Sequence, residues 1–68
     1  MNNYIVKTAG KVYEVKRPVK DLEKVYRMEC SFFSPSTPLT IENPNTGESA
    51  TFTRELDENG SIRKVNRL

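Results

Sequence analysis

Histidine is absent from this chain, and cysteine occurs once, at Cys30. The first absence removes the only side chain that titrates near neutrality unaided, the commonest general base and a frequent metal ligand. Cys30 is then the strongest nucleophile available. A reactive thiolate needs a neighbouring base, a cation or a helix N-terminus. The apolar periodicity around Cys30 sets it on a buried face, near the C-terminal end of any helix there, where the dipole disfavours an anion. It reads as an inert core residue, slow to react with thiol reagents in the native protein.

The carboxylates are the next candidates. Glu42 and Glu48 flank one turn, and Glu55, Asp57 and Glu58 gather near another. Paired-carboxylate hydrolysis needs a cleft that keeps one acid protonated. Turn ends of so short a chain stay solvated and do not provide one. The calcium-loop pattern is missing. The three glycines, Gly10, Gly47 and Gly60, stand alone, so no phosphate-cradling loop is present. Ser34-Pro35 and Thr37-Pro38 fit proline-directed phosphorylation, but also a rigid connector. These readings predict a protein that is not an enzyme, with no cofactor and no metal.

Basic residues are more numerous. Lys20, Lys24 and Arg27 recur at helical spacing, Lys16 and Arg17 precede them, and Arg63, Lys64 and Arg67 crowd the end. Cations gathered on one face neutralise phosphates and give salt-sensitive binding. Asp21, Glu23 and Glu29 interleave with the first set, and Glu23 is placed to pair with Arg27 at i+4. Residues 1–30 hold seven basic and four acidic side chains, residues 31–60 one and five, and residues 61–68 three and none. The ends are cationic and the middle anionic, although the net charge is only +2.

These side chains must be held by a single small domain over residues 1–68. Leu, Ile, Val and Phe make up 16 of 68 residues, above the roughly 20% floor linked to disorder. Runs 4–7 and 12–15 flank Ala9-Gly10 and predict a hairpin with Tyr4, Val6, Tyr13 and Val15 facing the core. Over residues 18–31, Val19, Leu22, Tyr26, Cys30 and Phe33 form one helical stripe, with Val25 beside it. Pro18 suits the first helical position, which makes Arg17 the cap, a poor residue for that role. Tyr26, Met28, Cys30 and Phe32 also alternate as a strand would. Ser34–Pro38 breaks regular structure. Residues 39–43 and 49–55, around Asn43–Gly47, predict a second hairpin, and Asn59-Gly60 turns the chain into a last strand, Ile62 to Val65.

The order predicts an α+β fold, a small ββαβββ sheet with one covering helix. That order is similar to the β-grasp, the ubiquitin-like arrangement, which implies a mixed sheet with the first strand beside a later one. The segment Ile5-Val6-Lys7-Thr8-Ala9-Gly10-Lys11, with Val15 and then Pro18 before a helix, resembles a ubiquitin-like opening hairpin. The chain ends Val65-Asn66-Arg67-Leu68 without a diglycine, so conjugation does not follow. The alternative is an all-β, SH3-like barrel with residues 20–33 as a strand.

No apolar run approaches the ~20 residues that span a bilayer. With no cationic head and apolar stretch at the start, a cytoplasmic location is expected, and the Asn59-Gly60-Ser61 glycosylation pattern is discounted. The leading expectation is a non-catalytic module that binds another protein, such as a small inhibitor of a partner enzyme of phage or mobile-element type. Its contacts would be Lys20, Lys24, Arg27, Tyr26, Phe33 and the anionic hairpin region 42–58, since one of the adjacent rings Phe32 and Phe33 should be exposed as an anchor. The alternative is weak, salt-sensitive nucleic-acid binding that adds Lys16, Arg17, Arg63, Lys64 and Arg67. Exposed sheet edges leave a homodimer open.

Overall fold

The computed structural model describes residues 1–68 and has five strands and one short helix. Strands β1 (Asn2–Thr8) and β2 (Lys11–Arg17) form the first hairpin. Tyr4 lies opposite Val15 and Val6 opposite Tyr13, the register expected for closure across Ala9-Gly10. Gly10 makes this closure possible, because its φ of 76° lies in the left-handed region that a Cβ disfavours. Helix α1 (Leu22–Glu29) follows, continued by a 3₁₀ turn at Cys30–Phe32. Strands β3 (Leu39–Glu42), β4 (Ser49–Leu56) and β5 (Ile62–Arg67) complete the chain.

The strands lie in the order β2-β1-β3-β4-β5, and all four pairings are antiparallel. The first strand does lie beside a later one, β3, but no parallel pair occurs, in contrast to the mixed sheet that the β-grasp likeness implies. Residues 22–29 are helical, so they do not supply the strand of the barrel alternative, and the sheet stays open at β2 and β5. No helix is long and apolar enough to cross a membrane.

The helix begins later than the proline suggested. Residues 18–20 are irregular and Asp21 is the cap. Its carboxylate accepts from the Glu23 backbone N–H at 2.9 Å, satisfying a donor that Arg17 could not. The Val19 carbonyl meanwhile accepts from Asn2 Nδ2 at 3.0 Å and from the Tyr4 hydroxyl, which ties the connector to β1.

One face of the sheet meets the helix. Tyr4, Val6, Leu39, Ile41, Ala50 and Phe52 project from the strands, and Leu22, Val25, Tyr26 and Cys30 from the helical segment; all are buried. Tyr26 packs on Phe52 with ring centroids 5.3 Å apart and planes tilted by 31°, within the range of favourable aromatic pairs. Ahead of the start of β3, the connector takes over its role against β4. The Arg54 N–H donates to the Pro35 carbonyl at 3.1 Å, and Arg54 Nη2 to the Phe33 carbonyl at 2.9 Å.

Candidate protein-binding surface

The amphipathic helix buries Leu22, Val25 and Tyr26, so Lys24, Arg27 and Met28 face outward. Met28 is four residues after Lys24, a spacing that shares a helix face, and Phe32 lies on the 3₁₀ turn that continues the helix. Phe32 is 75% exposed and Met28 44%. Lys20, also exposed, precedes the cap. The outward side therefore grades from cations at its start to an apolar pair at its end.

Phe32 projects because Phe33 does not. The 3₁₀ turn ends at Phe32, and Phe33 is extended, with φ −134° and ψ 158°. That break sends successive rings in different directions. Phe33 packs against the core and its carbonyl binds Arg54. The expected anchor is thus one residue away from where the sequence reading put it. Tyr26 is not a surface residue at all: it is fully buried under the helix. Lys20 and Lys24 remain unpaired, while Arg27 Nε donates to Glu23 at 3.2 Å, the pairing the spacing predicted.

The helix is clamped from the other side. Glu29 is only 2% exposed, yet charged. Arg17 donates to its Oε2 through Nε at 3.0 Å and also through Nη2, and Tyr13 donates to Oε1 at 3.4 Å. A buried carboxylate is tolerated only with such partners. Burial foremost, then the Glu29 charge and hydrogen bond, push the Tyr13 phenol above its ordinary pKa. Tyr4 is raised likewise by burial, with Asp21 and Glu48 adding to it. The sequence places Glu29 among the helix-surface charges and Arg17 among the candidate phosphate contacts; the fold instead joins the two in a buried clamp. One signal was available, since Glu29 lies seven residues after Leu22 and three after Tyr26, on the buried stripe.

The remaining basic residues do not converge. Lys16 and Lys64 occupy opposite edge strands, roughly 19 Å apart across the sheet width alone. Arg63 pairs with Glu55. Arg67 lies over the Phe52 ring, 5.9 Å from its centroid. The carboxylates are also dispersed. Glu42 binds Lys7 at 3.2 Å, and Asp57 Oδ1 accepts from the backbone of Asn59 and Ser61 within its own turn. Glu55 accepts from Asn66 at 3.0 Å, and this bond, followed by nearby Arg63 and Lys64, holds its carboxyl below the ordinary range against partial desolvation. A shallow groove of about 640 Å³ beside Pro35, Ser36, Arg54 and Arg63 has a single hydrophobic residue in its lining.

Cys30 is buried, with Sγ 3.5 Å from the Arg27 carbonyl. No protein-family model matches the chain, and neither a curated protein nor a solved structure is significantly similar to it.

Proposed function

We propose that this protein is a non-catalytic binding module that docks on another protein through the outward side of α1. Phe32 and Met28 form the apolar centre, and Lys20 and Lys24 the cationic flank. The carrying observation is the 75% exposure of Phe32 in a domain whose other two phenylalanines are drawn into the core or against it. An aromatic held on a short rigid turn loses little entropy on binding and anchors interfaces well. The lysines call for acidic groups at the rim of the partner's pocket, which steer encounter more than they add affinity. A rigid wedge of this kind suits occlusion of a partner enzyme's site. Nucleic-acid binding is the weaker reading, because Arg17 serves the helix clamp and the other basic groups point to separate surfaces.

The test is paired affinity capture. Wild type and a Phe32→Ser/Lys24→Glu variant are immobilised separately and exposed to the same lysate from source cells. Proteins retained by wild type and lost by the variant are expected. Identical retained sets from two equally folded baits would defeat the assignment.

A further inference from the structure

Strand β2 is an outer strand, and the pairings determine which of its backbone groups are free. Leu68 donates to the Thr51 carbonyl, so Thr51 turns toward β5, and Ala50 and Phe52 turn toward Ile41 and Leu39 of β3. Antiparallel hydrogen-bonded and non-bonded pairs alternate. Carried through β3 and β1, that alternation bonds Tyr4, Val6 and Thr8 to Val15, Tyr13 and Lys11. Val12, Glu14 and Lys16 are left presenting N–H and C=O away from the sheet. Arg17 Nη1 occupies one lone pair of the Lys16 carbonyl at 2.9 Å, and the second remains.

We propose that β2 pairs antiparallel with β2 of a second copy of this chain, about a two-fold axis through Val15. Glu14 then lies opposite Lys16 of the second copy, and Lys16 opposite its Glu14. These are the residues with outward backbone groups, so the two pairs exchange about four interchain backbone bonds. Charge selects the register. An axis through Glu14 sets two carboxylates face to face, and an axis through Tyr13 leaves Glu14 beside Val12 with no cation; opposite charges across strands stabilise and like charges do the reverse. Val12, 69% exposed, meets Pro18 of the second copy, and Pro18 ends the ladder because it has no N–H. On the helix side, the half-buried Tyr13 and Val15 gain cover from their counterparts.

The other edge does not offer this. Asn66 and Lys64 face Thr53 and Glu55, which leaves Val65 and Arg67 outward with Arg63 at the bulge. The equivalent axis passes through an inward residue: through Asn66 it would set Val65 against Arg67, with no opposite charge to select the register, and through Lys64 it would set two lysines face to face.

The experiment is sedimentation equilibrium from micromolar to millimolar protein. Wild type should approach twice the chain mass. Lys16→Glu and Glu14→Lys should each stay monomeric, and the combined swap should dimerise again, since it restores both pairs in reversed sense. Wild type that is monomeric throughout overturns the proposal. So do single variants that still dimerise, or a swap that does not. Circular dichroism checks the fold of each. If a reversal unfolds the chain, Glu14→Gln/Lys16→Gln replaces it; association should weaken roughly tenfold, and unchanged association counts against the proposal.

Discussion

Replacing Arg17 with Met should bring this domain close to unfolding. Glu29 would remain 2% exposed, losing both bonds from Arg17 and keeping only the long one from Tyr13 at 3.4 Å. Removing one partner of a fully buried ion pair costs about 3–5 kcal/mol. The Arg17 side chain is 33% exposed, so water can enter part of the space it leaves, and about 2–3 kcal/mol is the expected loss. A core of this size supplies only about 3–5 kcal/mol in total. Urea titration followed by circular dichroism gives the difference directly. The double variant Arg17→Met/Glu29→Leu should return to within about 1 kcal/mol of wild type, because it leaves no buried charge unpaired. A single variant within about 0.5 kcal/mol of wild type would refute the reasoning, as that is the scale of an ordinary surface change. So would a double variant no better than the single.

Asp21→Ala should cost about 1 kcal/mol in the same assay by removing the helix cap; an unchanged midpoint would mean the cap is redundant. Phe52→Ala removes the ring that Tyr26 and Arg67 both pack on, and a loss of about 3–5 kcal/mol should abolish the cooperative transition. Tyr4 and Tyr13 have phenols raised above the ordinary value of 10.0. Above that pH the unfolded chain gives up those protons first, so stability present at lower pH falls as pH rises through the folded values. Tyr13→Phe should flatten part of this alkaline decline in midpoint against pH. Glu55 is shifted the other way, so its contribution holds above about pH 4.5 and fades below it, and Glu55→Gln should remove that part of the acid sensitivity.

Hairpins were legible in the sequence because their signals are local. Alternation in residues 4–7 and 12–15 and one glycine with positive φ fix which side chains oppose each other, and Tyr4–Val15 and Val6–Tyr13 follow. The second hairpin joins Leu39 to Phe52 and Ile41 to Ala50 for the same reason. The helix was legible as a stripe but not in its start. Pro18 is a permissive signal, whereas the Asp21 side chain satisfies a backbone donor, and the stronger interaction set the boundary. The surface was harder to read. Whether Phe32 or Phe33 faces water depends on where the 3₁₀ turn ends, and the Phe33 carbonyl just past that end is held by Arg54, 21 residues downstream. Arg17 and Glu29 were misread for a similar reason. Twelve residues separate them, and only the packing of α1 on the sheet brings Glu29 within reach of side chains from the edge strand β2.

The two proposed surfaces have a joint consequence. Antiparallel strands are related by an axis perpendicular to their sheet, so pairing through β2 leaves both helices on the same side of the joined sheet. The two Phe32 ridges would then face one direction. A partner displayed densely on a surface would be held at two points, which raises retention by ~10²-fold or more without any new contact. The Lys16→Glu variant separates the effects, since its ridge is intact and only the pairing is lost. Released from a dense surface of a captured partner, it should dissociate much faster than wild type. At a partner density too sparse for double engagement, the two should dissociate alike. Equal rates at both densities would mean that the ridges work singly, whatever the oligomeric state.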